Sequence, residues 1–528
     1  MLCKRWLFIA LLPSVVGWIQ QGMWRLASAN PLPLLEPTSA PPFDPFFSED
    51  TSEKHSVDPI PTQGNSAEAI LTEVTLIKET AKELSARRMS ALTTEIDAYL
   101  KAHYELGWFS GSVLVVRAGE IVFARGYGMA SLEYQAPNSP QTRFRLGSVT
   151  KQFTAAAILQ LQERGLLDVQ ASISTYLPDY PNGDGITLHH LLTHTAGIPN
   201  LTNFPDYLEW MRLPTTLDEL IARFKDLPLE FEPGEHHRYS NSGYILLTQV
   251  IETVSGQSYA DYLKEHLLHP LGMKNTGYEH PLAVINGLAR GYQLTNDGYQ
   301  RAEHINMSVP QGAGGLYSTV EDLARWNQFL FDDGVRDETI LSDGTIATMT
   351  SPLVPMAPDD APNLFYGYGL VLSDQPERLR IGHGGGINGF VTNLIFFPDQ
   401  NLTIAVLCNV APANPELISQ DLAAILFGEP YERPTIPDAV TVEPSVYERY
   451  VGTYQVAPEF QVSITIEADQ LQIQGTGQPA LTLYPTSETE FFARVIDLRI
   501  VFNQATDGTV ESLTLLQNGQ EILAPRAD

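Results

Sequence analysis

Ser148-Val149-Thr150-Lys151 opens a helical stretch that the apolar periodicity places from about Val149 to Gly165. Residues three apart share a helix face, so this spacing lets the Ser148 hydroxyl meet the Lys151 amine. A serine becomes an effective nucleophile when a neighbouring base takes its proton, and a lysine of lowered pKa is such a base. The helix amino terminus adds backbone N–H groups and a dipole that favour a developing negative charge. Alone, the pattern is more often a serine capping a helix above a solvent-facing lysine. Tyr239-Ser240-Asn241 lies about ninety residues downstream, and the glycine-rich run His383-Gly384-Gly385-Gly386 comes later still. Taken singly, Tyr239 reads as a half-buried structural tyrosine and Asn241 as a turn residue.

These residues need a body that holds them together across the chain. Ser112 to Val116 and Ile121 to Ala124 are short β-rich runs around Ala118-Gly119-Glu120, which predicts a hairpin. Strand signals return at Gly367 to Leu372, Gly389 to Phe397 and Leu402 to Leu407, with mixed helices and Gly/Pro-rich loops between. Strands at both ends with helices between them predict an α+β body whose terminal segments share a sheet. After a Pro- and acid-rich linker over 429–444, the pattern turns almost purely β. Val462, Ile464 and Ile466 alternate, as do Leu471 and Ile473, Leu481 and Leu483, and Leu498, Ile500 and Phe502. Turns at Gly475, Gly477, Asp507-Gly508 and Asn518-Gly519 separate them, predicting a small all-β barrel or sandwich over 445–528.

The amino-terminal residues are different. Lys4 and Arg5, the apolar run Trp6 to Ile19 and Ala27-Ser28-Ala29 together have the pattern of a secretory signal peptide over 1–29. Residues 30–65 are rich in Pro, Ser, Thr and acids and read as a flexible tether. Ile70, Val74, Ile77 and Leu84 predict a helix over 66–88, before a catalytic body over 89–428. The expectation is an exported protein, periplasmic or extracellular, with no stable membrane insertion once the signal is cleaved; an uncleaved amino-terminal anchor is the alternative. The chain has 528 residues and a formal charge of −30, which argues against nucleic acid as a partner. With Cys3 lost in the signal, Cys408 has no internal disulfide partner.

The order S-x-x-K, Y-x-N and a late glycine triplet resembles the serine β-lactamase and penicillin-binding-protein superfamily. The similarity is greatest to its class C-like branch, which includes esterases and D-amino-acid peptidases. Phe144-Arg145-Leu146-Gly147, the run His189 to Pro199, Pro270-Leu271-Gly272-Met273, Ala313-Gly314-Gly315-Leu316 and Gly382 to Phe390 look like stretches of the same family. The resemblance implies a β-lactamase/transpeptidase-like domain with an antiparallel sheet, flanking helices and an all-α subregion. It implies that Ser148 is acylated, that Lys151 and Tyr239 share the proton transfer, and that Asn241 binds a substrate carbonyl or amide. It also implies that the backbone N–H groups of Ser148 and Gly386 hold the oxyanion, with His383, Gly384 and Gly385 on the substrate-binding strand. No cofactor is implied. Tyr450-Val451-Gly452-Thr453-Tyr454 resembles the opening of the lipocalin-like domain attached to some members.

His383 stands where relatives with the K-T-G form carry a lysine, and a histidine is largely neutral near pH 7. That weakens β-lactam hydrolysis and carboxypeptidase action, and leaves small ester, amide or D-residue peptide substrates. A non-catalytic cell-wall or acyl-ligand binding protein is the alternative of another class. His190 and His194 have the i, i+4 spacing of a zinc pair, but no H-E-x-x-H motif is present and the family resemblance covers the segment, so no metal is expected. No G-x-S-x-G elbow or phosphate-binding glycine motif is present either.

Overall fold

Eight antiparallel strands form the sheet that carries the later functional segments. Their order is Val354–Ala357, Ala361–Tyr366, Val371–Gln375, Arg378–Ile387, Phe390–Phe397, Leu402–Cys408, Gly111–Arg117 and Glu120–Tyr127. The early hairpin thus pairs with the last of the late strands, with Gly111 opposite Cys408 and Arg117 opposite Leu402. This is the shared sheet that the strand signals predict. The structure is a computed structural model that describes residues 87–527 except 333–336, 338, 358–360, 376–377, 458–459 and 518–519. The expected signal peptide, the tether and nearly all of the 66–88 helix lie outside the described residues, as does the turn at Asn518-Gly519. Residues 92–528 belong to one compact unit; residues 24–91 belong to another, of which 87–91 are described, as helix.

Both faces of the sheet are covered, which explains why Ile404–Cys408 reads as an unbroken apolar run instead of an alternating one. Leu114, Leu394, Ala405 and Leu407 face a core built with the helices Thr150–Glu163, Asn241–Ser255 and Val320–Phe331. Val113, Val115, Ile404, Val406 and Cys408 face a second core, closed by the helix Pro415–Phe427 and by Ile96, Tyr99 and Leu100. Cys408 is fully buried there, and burial holds its thiol in the protonated form.

One expected strand is displaced. Gly367 to Leu370 forms a bend, and strand pairing begins at Val371. Gly369 takes a φ of +72°, and a Cβ there would lie 2.6 Å from the Lys151 carbonyl, so the bend is a close crossing over the helix Thr150–Glu163.

The carboxy-terminal eight strands run in sequence order from Gly452–Ala457 to Gln520–Pro525, each antiparallel to the next. A bridge between Tyr454 and Arg526 nearly closes them into a barrel. Its interior is filled by side chains, with Tyr450 stacked on Phe502 at 4.0 Å and Tyr454 and Phe491 beside them. Val462 and Ile464 point inward as the alternation predicts, whereas Ile466, at the strand end, is 40% exposed. Leu294 packs against this interior, and Trp108 Nε1 donates to the Arg494 carbonyl at 2.8 Å, so the barrel is seated on the catalytic body.

Candidate active site

Gly147 starts the site. Its φ of +54° favours glycine, and a Cβ there would lie 2.7 Å from the Gly386 nitrogen. A tight turn over Gly147–Val149 leads into the helix Thr150–Glu163, which places Ser148 at its mouth and Lys151 one turn inside. Lys151 is fully buried. Its Nζ lies 2.8 Å from Asn241 Oδ1, 2.8 Å from the Ala313 carbonyl and 3.2 Å from Ser148 Oγ. No carboxylate is among these hydrogen-bond partners. Burial pulls the amine pKa well below the usual lysine value.

The three contacts suit a neutral amine. Two oxygens that can only accept take its two hydrogens at the shorter distances, and the lone pair is left for the Ser148 hydroxyl. The Tyr239 hydroxyl donates to Ser148 Oγ from the other side at 2.8 Å. Burial raises the Tyr239 pKa above that of a free phenol, so it rests as a proton donor. When Lys151 takes a proton, its Nζ lies 4.8 Å from the Tyr239 ring centroid and 5.3 Å from that of Tyr244, which favours the cation.

Asn241 begins the helix Asn241–Ser255. With Oδ1 committed to Lys151, its amide nitrogen points to Thr202 Oγ1 at 3.3 Å, and Asn200 Oδ1 accepts from its backbone N–H at 3.1 Å. On the glycine strand the three positions differ. A Cβ on Gly385 would lie 2.0 Å from the Leu146 carbonyl and 3.1 Å from the Ser148 nitrogen, whereas one on Gly386 would meet nothing within 4 Å. The Thr392 hydroxyl, on the adjacent strand, donates to the same Leu146 carbonyl at 2.7 Å.

A cavity of about 300 Å³ opens over Ser148, lined also by Asn241 and Gly386. Its walls include Leu208, Met211, Ile245, Ile305, Val309 and Phe390, and among the described residues no Lys, Arg, His, Asp or Glu lines it. His383 and Gly384, placed on the substrate-binding strand by sequence, do not line it. The His383 ring is 3% exposed and turned toward Tyr366, because its strand alternation directs it into the body. Gly385 is likewise constrained by the Ser148 turn, not by room for a ligand.

His189, His190 and His194, whose spacing suggests a zinc pair, do not converge. His189 Nδ1 meets the Tyr368 hydroxyl, His190 Nδ1 accepts from the Thr187 N–H, and His194 faces Tyr366 and Ser240. Among the described residues no group of three or more His, Cys, Asp or Glu side chains is placed to hold a metal ion. The sequence does not reveal the place of His194, whose ring lies on Tyr239 at 4.2 Å, or the Ala313 carbonyl that binds Lys151. Both fall in stretches that carried the family resemblance, which was the available signal.

This fold and constellation define a β-lactamase-type serine site. The family profile described as "Beta-lactamase" matches residues 96–429, and the chain belongs to that family. Residues 437–524 match a "Domain of unknown function (DUF3471)". The chain is 32% identical over 444 residues to "Penicillin-binding protein 4*" of Bacillus subtilis (strain 168), covering 79% of this chain and 95% of that one. The octameric penicillin-binding protein homologue from Pyrococcus abyssi superposes with a TM-score of 0.58 at 26% identity, over 82% of this chain and 99% of that chain. The D-amino acid amidase from Ochrobactrum anthropi SV3 gives a TM-score of 0.56 at 25% identity, over 64% and 98%. Among the described residues no helix is long and apolar enough to cross a membrane.

Proposed function

We propose that the protein is an exported serine hydrolase of the class C-like branch, forming an acyl-enzyme on esters or amides with an uncharged, apolar acyl group. The observation that carries this reading is Ser148 Oγ between Lys151 Nζ and Tyr239 Oη, beneath a cleft without a charged side chain. Ser148 Oγ attacks the substrate carbonyl and its proton passes to Lys151. The oxyanion is held by the backbone N–H groups of Ser148 and Gly386, each worth on the order of 3 kcal/mol. Tyr239 gives its proton to the leaving group and regains one from Lys151. Water then attacks the acyl-enzyme and the same groups run in reverse. Asn241 holds Lys151 and offers its amide nitrogen to the substrate.

Esters come first in this reading. A D-aminoacyl amide of the kind cleaved by D-amino acid amidases brings an ammonium group, and the cleft offers it no carboxylate. β-Lactamase or carboxypeptidase action ranks lower. A substrate carboxylate meets no cation among the described residues of the cleft, and burial, the main cause, pushes His383 down to about 3, so it stays neutral. A fluorophosphonate is expected to label the wild type and not Ser148→Ala. p-Nitrophenyl butyrate is expected to be turned over with a higher kcat/KM than D-phenylalanine amide or nitrocefin. Absence of Ser148-dependent labelling would favour the acyl-ligand binding protein instead, and a higher kcat/KM for nitrocefin would reverse the substrate ranking.

The carboxy-terminal barrel, read as lipocalin-like, serves in this proposal to shape access or assembly. Its support is the seating through Leu294 and Trp108. Deleting residues 440–528 is expected to change the ester chain-length preference or the mass measured by light scattering; if neither moves, the barrel has no such role.

A further inference from the structure

Behind the nucleophile, three buried side chains connect the two walls of the site. The Ser240 N–H donates to His194 Nδ1 at 3.1 Å, and His194 Nε2 lies 3.1 Å from Tyr366 Oη. Tyr366 Oη in turn lies 3.1 Å from His383 Nε2, and His383 Nδ1 lies 2.5 Å from the Gly384 carbonyl.

The two ends of this chain determine every proton between them. A backbone N–H can only donate, so His194 Nδ1 carries a lone pair and the neutral ring holds its hydrogen on Nε2. A carbonyl can only accept, so His383 holds its hydrogen on Nδ1 and presents Nε2 as an acceptor. Tyr366 therefore accepts from His194 and donates to His383. The nearby Tyr244 hydroxyl gives its proton to the Leu192 carbonyl at 2.8 Å, so it has none to donate to Tyr366. Each member donates once and accepts once, in one direction, from the Tyr239-Ser240-Asn241 segment to the glycine strand.

An added proton on His194 would set two donors face to face at Ser240, and one on His383 would remove the acceptor to which Tyr366 donates. The surroundings oppose it as well. Burial is the main cause that lowers the His194 pKa, a charge on His237, Lys151 or His383 would lower it further, and Tyr239, Tyr244 and Tyr366 are the aromatic rings that face it.

The relay touches the reacting groups at both ends. The His194 ring packs on Tyr239 at 4.2 Å and 36°, while its hydrogen bond fixes the next residue in the chain. At the other end, Gly384 precedes Gly385 and Gly386, whose backbones lie against the Ser148 turn. We propose that His194 and Tyr366 are positioning residues for acylation, which with His383 form a one-way hydrogen-bond relay holding the Tyr239 phenol and the Gly384–Gly386 backbone in register with Ser148. The proposal rests on the hydrolase reading above.

Two measurements on the full chain test it. Long-range 1H–15N correlation spectra of histidine-labelled protein report imidazole tautomers. The expected result is the Nε2–H form for His194 and the Nδ1–H form for His383, unchanged between about pH 5 and about pH 8. Tyr366→Phe is expected to lower kcat for p-nitrophenyl butyrate by up to about 100-fold, with KM little changed and a thermal melt that stays cooperative but shifts down, because His194 and His383 each lose a buried partner. The opposite tautomer at either histidine overturns the relay, and so does Tyr366→Phe with wild-type kcat. If Tyr366→Phe fails to fold, the wild-type tautomers decide. A wild type without Ser148-dependent labelling sinks the hydrolase reading and the acylation role together. The tautomers then still tell whether the relay exists, so the two failures are distinguishable.

Discussion

Lys151→Met is expected to lower kcat/KM for p-nitrophenyl butyrate by about 1,000-fold or more, near the upper part of what a positioned base supplies. Methionine keeps the length of the buried stem but removes the lone pair that faces Ser148 Oγ. It also leaves Asn241 Oδ1 and the Ala313 carbonyl without their donor, each of which Lys151 meets at 2.8 Å. In the proposed mechanism the active species is the neutral amine. Because burial lowers the Lys151 pKa, that form persists to a pH well below the usual lysine range. Activity should therefore fall as pH drops through the lowered pKa, since the protonated amine cannot accept from Ser148. A kcat/KM profile that first rises near the ordinary lysine pKa would contradict this account, and so would Lys151→Met with more than about a tenth of wild-type activity.

Gly385→Ala is expected to cost about 100-fold or more in kcat and to destabilise the fold by roughly 1–3 kcal/mol. The new methyl would fall 2.0 Å from the Leu146 carbonyl and 2.5 Å from Thr392 Oγ1, inside the contacts that fix the Ser148 turn. Something must shift, and the atom most closely attached to the turn is the Ser148 nitrogen at 3.1 Å. Gly384→Ala, one residue away, would approach only the Thr392 carbonyl at 3.7 Å and is expected to stay within about 0.5 kcal/mol of the wild type. Chemical denaturation and ester turnover of the pair measure the contrast; equal behaviour of the two variants would refute it.

The sequence carried some of this well. Ser148 and Lys151 are three residues apart, so local helix geometry alone predicts their meeting. The barrel strands were legible because one face of each is buried, and alternation survives in residues such as Val462 and Ile464. Non-local partners were not legible. His194 was weighed only as a zinc ligand, because the groups it binds lie 46 and 172 residues away. The Ala313 carbonyl has no side-chain signature at all. His383 was assigned to the substrate side because the identity of a strand residue does not say which face of the sheet it takes. The strands Val354–Ala357 and Ala361–Tyr366 went unanticipated, since Pro352, Pro355 and Pro362 interrupt any alternation there. Yet Tyr366, at the end of the second, is the middle of the relay.

The pairing of Gly111–Arg117 with Leu402–Cys408 has a consequence for when the serine becomes reactive. The ribosome makes the helix bearing Ser148 long before it makes Gly385 and Gly386, and the sheet that seats those glycines closes only when residue 408 has arrived. Loops of that length form slowly relative to local helices. A nascent or exported but unfolded chain therefore carries a serine with no base, no phenol beside it and no oxyanion donors. In the proposed mechanism chain closure acts as a built-in safety catch: the nucleophile is armed by the completion of the fold.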